Sequence, residues 1–246
     1  MEKTKILLQN ILSSLEDDNE VSDIHTCVYW TAVTSLRCGL ASTMAASLFP
    51  SEGHQVENAG NLLPTGAKEL ALLSLSSRTL EAAIGIATIN SMLPIDESLC
   101  IDLNAEAEIR AHGKGKRIAI IGHFPFVKRL GAEAKELWTF ELPGRGRPGD
   151  LSSNEVETLL PQAEVVAITS TTLINHTLGG LLDLVSPDAY KMMLGPSTPL
   201  SPMLFDYGFD ALSGSIVVDR NQMLDCIRQG ANFRQVRGVR KVIIRC

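Results

Sequence analysis

Apolar positions along this chain follow two rhythms. In the first, Ile6, Leu7, Leu8, Ile11, Leu12 and Leu15 recur at helical spacing until the acidic run at 17–20 breaks them, which predicts an N-terminal helix. Residues 24–36 and 40–45, rich in Val, Thr, Tyr and Trp, predict short antiparallel strands turned at Cys38-Gly39. The stretch 50–66 carries Pro50, Gly53, Gly60, Pro64 and Gly66 and reads as a loop. Helices are expected over 67–73 and 77–93. Ser77 is the expected N-cap of the second, and Leu80, Ala83, Ile84, Ala87 and Met92 its inward positions. Its small residues Ala82, Ala83, Gly85 and Ala87 would let another element come close.

The second rhythm begins after a polar joint at 112–116. Apolar runs at 117–122, 137–142, 165–170, 191–195, 211–218 and 239–245 alternate with helical stretches near 127–135, 153–160, 172–184, 200–207 and 222–230. Strands apolar on both faces and separated by helices imply a parallel sheet covered on both sides. The expected fold is therefore α/β, with a small α+β unit at 1–112 followed by a Rossmann-like parallel-sheet unit at 113–246.

Charge narrows the function classes. A net charge of −6 and an isoelectric point near 5.4 argue against nucleic acid as a partner, because phosphate neutralisation needs clustered Lys and Arg. The basic stretch 234–245 reads as solvated edge charge on a final strand. No apolar run approaches the roughly 20 residues that span a bilayer, and the N-terminus lacks a signal-peptide pattern. Cys27, Cys38, Cys100, Cys226 and Cys246 are scattered and form no Cys-x-x-Cys pair, as expected of a reduced, cytoplasmic protein. Apolar residues left over on the N-terminal strands are compatible with a homodimer.

The chemistry concentrates at the expected strand ends, where open parallel sheets bind ligands. The densest candidate is 190–202, where an apolar run ends at Gly195 and Pro196, Ser197 and Thr198 follow at a prospective helix start. Free amides and hydroxyls at 195–198 would suit an anionic or strongly polar ligand. Gly122-His123-Phe124-Pro125 follows a clear strand but is not the Gly-x-Gly-x-x-Gly of an ordinary NAD site. His123 reads either as an acid–base group or metal ligand, or as a loop histidine with one hydrogen bond.

Glu141 stands at the next strand end, about twenty residues past Gly122, where a carboxylate commonly accepts ribose hydroxyls. Its bland alternative is an ion pair with Arg145 or Arg147. Asp150 follows either as a helix cap or as a cleft carboxylate, and the loop arginines either clamp an anion or are surface charge. Thr169 and Asn175 pair a hydroxyl-rich strand end with an amide suited to a heterocycle edge, although helix capping explains part of that pattern. Glu81 and Asn90 interrupt an otherwise apolar helix, which is costly unless they have partners or face a pocket. His123, Glu141, Asp150 and His176 are far apart in sequence, and no His-x-x-x-His or Cys-x-x-Cys spacing supports a dedicated metal cage. No Gly-x-Ser-x-Gly elbow or Gly-Lys-Ser/Thr loop appears either.

The blocks at 81–90, 118–125, 166–175, 194–199 and 208–214 together resemble a bacterial and archaeal family labelled "putative heavy-metal chelation". Gly-Pro-Ser-Thr-Pro and Thr-Leu-Ile-Asn are its most specific parts. The resemblance implies an N-terminal domain like that of enolase, a Rossmann-like domain, and a cleft between them. It would be lined by Glu81, Asn90, Gly122, Glu141, Thr169, Asn175, Gly195, Ser197 and Thr198. The leading expectation is an enzyme that condenses or hydrolyses a small polar metabolite, such as a pterin, flavin, tetrapyrrole precursor or metal chelator. Glu81 or Glu141 would be its acid–base group. One alternative is a non-catalytic carrier or sensor of a metal or metal chelate. Another is an S-adenosylmethionine binder, suggested by Glu141 and weakened by the missing glycine-rich turn. No cofactor is specified by the residues.

Overall fold

A computed structural model describes residues 1–44, 55–142, 146–151 and 153–246. Its first unit begins with α1 (Glu2–Ser13), followed by β1 (Asp23–Thr26), β2 (Trp30–Thr34) and β3 (Cys38–Ser42). These strands form an antiparallel sheet in the order β1-β2-β3. The turns fall at 27–29 and 35–37, so Cys38 and Gly39 lie inside β3 instead of forming the expected turn. Then come α2 (Ala67–Ala71), a 3-10 segment (Leu72–Leu75) and α3 (Thr79–Met92). The expected loop at 50–66 lies partly outside the described residues.

Helix α3 is the centre of this unit. It is apolar on nearly all sides, and such a helix has to be buried all round. It packs on β2, β3, α2 and the 3-10 segment. The small residues expected to allow close approach do so: a Cβ on Gly85 would lie 1.9 Å from the Ser74 amide nitrogen. Ser77 is not the cap. The helix begins after Arg78, with no side-chain cap, and Ser76 supplies the local hydroxyl contacts.

The second unit contains a six-stranded sheet in the order β5-β4-β6-β7-β8-β9. The strands are β4 (Arg117–Ile121), β5 (Glu136–Phe140), β6 (Val165–Thr169), β7 (Tyr190–Leu194), β8 (Ala211–Val217) and β9 (Val239–Arg245). All pair in parallel except β9, which runs antiparallel to β8 at the edge. The helices are α4 (Ala105–Gly113), α5 (Val127–Leu130), α6 (Ser153–Leu159), α7 (Thr171–Ile174), α8 (Leu178–Leu184) and α9 (Arg220–Arg228). The helix expected over 172–184 is broken in two, with His176 at φ 57° between the halves. The one expected over 200–207 is a 3-10 segment (Pro202–Tyr207).

Helix α4 runs through the 112/113 division expected between the units, and it packs on β6 and β7. Its Glu108 is 1% exposed and accepts hydrogen bonds from Arg245 Nη2 at 2.7 Å, Arg245 Nε at 3.0 Å and Tyr190 Oη at 2.6 Å. Burial pushes this carboxyl's pKa up, but the bonds from Arg245 and Tyr190 outweigh it and hold the pKa below the usual carboxylate value. One charged group thus fastens α4 to two strands.

The units share one core. Leu8 and Ile11 of α1, Val33 and Ala41 of the small sheet, and Ile84 and Ile86 of α3 join Ile121, Ile168, Met193 and Leu212 of the large sheet. Helix α1 packs on α8, α3 on α7, and β3 on β8. The other face of the small sheet, with Trp30, Ala32 and Leu40, is covered by Met223, Leu224 and Ile227 of α9. Much of the apolar surface of the N-terminal strands is therefore covered within the chain, while Val28, Tyr29 and Leu36 at their turns stay exposed. No helix among the described residues is long and apolar enough to cross a membrane.

Candidate functional site

Strand β4 leads outward to β5 on one side, and the chain then crosses to β6 on the other. The order reverses between β4 and β6, and ligands in such sheets bind outside the strand ends at that point. A cavity of about 410 Å³ opens there, lined by Gly122 and His123 after β4, Glu141 after β5, and Thr169 at the end of β6. Asn175, between α7 and α8, completes the expected polar set. Five residues singled out from the sequence therefore share one hollow.

Its shape follows from local backbone chemistry. Gly122 adopts φ +93°, a conformation L side chains rarely take, and a Cβ there would stand 3.0 Å from Thr169 Cβ and Cγ2. The glycine lets the chain leave β4 directly over Thr169. The Thr169 and Thr171 hydroxyls are 3.1 Å apart, and the Thr172 hydroxyl donates to the Thr169 carbonyl at 2.7 Å. Asn175 Oδ1 accepts from the Thr177 amide at 3.2 Å and its hydroxyl at 2.7 Å. That turn directs the chain into α8 and fixes the Asn175 side chain on the cavity wall.

Glu141 Oε1 accepts the amide of Leu142 at 2.8 Å. His123 Nδ1 lies 3.5 Å from Asp150 Oδ2, an electrostatic contact too long for a good hydrogen bond. Asp150 in turn accepts the Arg147 amide at 2.7 Å, which closes its own turn. Arg145 lies outside the described residues. Phe124, Phe140, Leu142, Val156, Leu181 and Leu184 form the apolar walls, and Thr171, Thr172, Thr177 and Glu157 add polar groups. Outside the Gly122–Pro125 motif, which holds Phe124, and the hydroxyl-rich run after β6, which holds Thr171 and Thr177, the sequence carries no direct signal for these wall residues. Phe124 and Thr171 sit one or two positions beyond named strand ends, and Glu157 follows Val156 on α6, so the strand-end rule could have reached some of them.

Other candidates lie elsewhere. Glu81 is bound at the start of α3: it accepts from the Ser76 hydroxyl at 2.5 Å, the Glu57 amide at 2.7 Å and Arg78 at 3.0 Å. Burial raises its pKa, but these hydrogen bonds and the Arg78 charge prevail and hold it below the usual value. Asn90 Nδ2 donates to the Leu40 carbonyl at 2.8 Å, tying α3 to β3, while its Oδ1 is buried with no partner among the described residues. Ser197 is fully buried, and its Oγ accepts the Ser42 amide at 2.8 Å. Thr198 is 3% exposed, and its hydroxyl has no partner among the described residues. Gly195 and Pro196 line a different hollow on the opposite face of the sheet.

His176 is 2% exposed, and its Nε2 lies 2.8 Å from the Ser74 carbonyl. A carbonyl only accepts, so the imidazole donates and is held by a structural bond. Burial holds its pKa below the usual value. The convergence of His123, Glu141, Asp150 and His176 weighed from sequence does not form. Among the described residues no three His, Cys, Asp or Glu side chains gather around one point. A metal cage built from this chain's side chains does not fit the described residues.

A family model described as putative heavy-metal chelation matches residues 104–246, and a second model with that description matches 8–93. An uncharacterized protein of Methanocaldococcus jannaschii is 25% identical over 247 residues, covering 98% of this chain and 95% of that one. A crystal structure from Desulfitobacterium hafniense, of a protein with unknown function, has a TM-score of 0.84 at 25% identity and covers 100% of this chain and 99% of that one. Another, from Pyrococcus horikoshii and also of unknown function, has a TM-score of 0.84 at 21% identity, with 99% of each chain covered. With more than half its length matched, in residues that build the whole parallel sheet, this chain belongs to the DUF364 family, the one described as putative heavy-metal chelation.

Proposed function

We propose that the protein binds and modifies a small polar organic molecule, one able to chelate a metal, in the cavity between the ends of β4, β5 and β6. The observation that carries this reading is the joint placement of Glu141, Thr169 and Asn175 on a hollow of about 410 Å³ whose walls are largely aliphatic and aromatic. A few fixed polar groups on apolar walls are how small-molecule sites obtain orientation and affinity together. Asn175, whose Oδ1 is taken by Thr177, offers its Nδ2 donors to a heterocycle acceptor, the threonine hydroxyls add further hydrogen bonds, and Phe124 and Phe140 cover the ring faces.

Glu141 is the acid–base group of this reading. Its carboxylate reaches the same cavity as the ring-binding groups, whereas Glu81 is consumed by Arg78 and Ser76. It would take or return a proton during condensation or hydrolysis. A metal enters as cargo, its ligands supplied mainly by the organic molecule, which reconciles the family's description with the lack of a side-chain cage among the described residues. A role in metal homeostasis follows from that cargo, and five scattered cysteines with no Cys-x-x-Cys pair favour the cytoplasm as its place.

A second reading has one specific observation in its favour. Gly122 and Glu141 occupy the first and second strand ends of a Rossmann-like sheet and face one hollow, as a ribose-bearing methyl donor requires. A thermal-shift panel of a pterin, a flavin, a tetrapyrrole precursor and S-adenosylmethionine separates the two. Ligand at about 100 times its Kd stabilises the folded state by about 2.7 kcal/mol. The proposal expects one of the first three to raise Tm, and Leu181→Trp, which fills the cavity, to abolish the rise. Stabilisation by S-adenosylmethionine alone favours the methyl-donor reading, and stabilisation by none of the four rejects both.

A further inference from the structure

The opposite face of the same sheet rim carries a second hollow, of about 280 Å³, separated from the first by the β4–α5 loop. Phe124 lines both. The floor is made by the ends of β7 and β8. Side chains alternate along a strand, so Ser213 and Ser215 face the same side as Ala211, the side covered by α4 and α5. Lys241 of β9 stands directly opposite Ser215. The start of α4 and the Phe233-Arg234 turn close the sides.

Four observations mark this hollow as built to receive something. Ser215 Oγ is buried with no hydrogen-bond partner among the described residues, and Ser213, 8% exposed, lines the same floor. Buried hydroxyls without partners are rare enough in native proteins to need an explanation. Arg234 and Lys241 have no carboxylate partner among the described residues, in a protein whose net charge is −6. The one acidic residue on the lining, Glu106, is already held by Arg110 and Arg129. Aromatic faces are present on two sides: Phe124 and Phe126 stack with centroids 5.4 Å apart, and Phe233 lies 4.4 Å beneath the Lys241 ammonium.

We propose that this hollow is a second ligand site, taking a planar aromatic or heteroaromatic ring that bears a carboxylate or phosphate. The ring lies against Phe124, Phe126 and Phe233, and the anion meets Arg234 and Lys241, with Ser213 donating to it. Arginine beside aromatic faces suits this class, since its guanidinium both stacks and forks onto carboxylate or phosphate oxygens. This site stands apart from the function proposed for the first cavity and survives if that reading fails.

Calorimetric titration at low salt tests it with adenosine 5′-monophosphate, nicotinate, adenosine and inorganic phosphate as probes. At least one ring-bearing anion should bind with Kd below about 1 mM. Adenosine and phosphate should each bind at least tenfold more weakly, and the relative affinity of the two anions distinguishes a phosphate from a carboxylate ligand. The double variant Arg234→Ala/Lys241→Ala, at exposed positions where the fold is not at stake, should weaken the ring-bearing anion tenfold or more. Leu181→Trp, which fills only the first cavity, should leave that affinity unchanged. Failure of both ring-bearing anions to bind, phosphate alone binding as tightly as they do, unaltered affinity in the double variant, or loss of binding in Leu181→Trp would each overturn the proposal.

Discussion

The hydroxyl of Ser197 accepts the backbone amide of Ser42 at 2.8 Å, joining the loop after β7 to the last residue of β3 across 155 residues of chain. Ser197 is fully buried, and the bond fastens the two units to each other.

Ser197→Ala therefore acts on stability first. It leaves the half-buried Ser42 amide without this partner, at a cost of about 1 kcal/mol. Denaturant unfolding should show that loss, with any effect on ligand affinity secondary. A variant as stable as the wild type would show that the bond contributes nothing.

His176 sets a pH dependence. Burial holds its folded-state pKa below the ordinary value of 6.5. In the window between that depressed value and 6.5 the unfolded chain binds more protons, so stability rises with pH there and is lost as pH falls. Unfolding at pH 7.5 and 5.5 should show the wild type weakening. His176→Asn, a residue that tolerates the positive φ, should have a shallower slope across the window and lower stability at pH 7.5. Equal slopes would remove His176 from the account.

Gly122→Ala tests the floor of the first cavity. A Cβ at φ +93°, 3.0 Å from the Thr169 side chain, should cost about 1–3 kcal/mol and push Thr169 out of place. Both Tm and affinity for any ligand of that cavity should fall. An alanine variant with wild-type Tm would mean that the backbone has another conformation at this turn.

Much of the architecture was legible because its signals were strong. The six apolar runs of the second half each became a strand, since fully buried strands need continuous apolar sequence. Helix α4 escaped because only one apolar residue, Ile109, and the bonded Glu108 anchor its buried side, so it has little apolar periodicity. The single helix expected at 172–184 missed the break at His176, where a positive φ on a non-glycine residue is held by tertiary bonds from elsewhere. The antiparallel direction of β9 leaves no mark in a strand's own pattern.

The site divided along the same line. Gly122, Glu141 and Thr169 follow from the rule that ligands sit beyond parallel strand ends, and the cavity gathers them. Glu81, Asn90 and Ser197 were chosen because polar residues in apolar surroundings need partners. They have partners, but from the chain itself: Arg78, the Leu40 carbonyl and the Ser42 amide. Composition tells that a buried polar group is satisfied without telling by whom.

Native mass spectrometry of gently purified protein, comparing the wild type with Glu141→Gln and Asn175→Ala, tests the central claim most directly. The account predicts an added mass of a small organic molecule, with or without a metal ion, on the wild type. That mass should be depleted in both variants, while their circular dichroism stays native. A wild type carrying a bare metal ion and no organic mass, or variants that retain the organic mass in full, would contradict it.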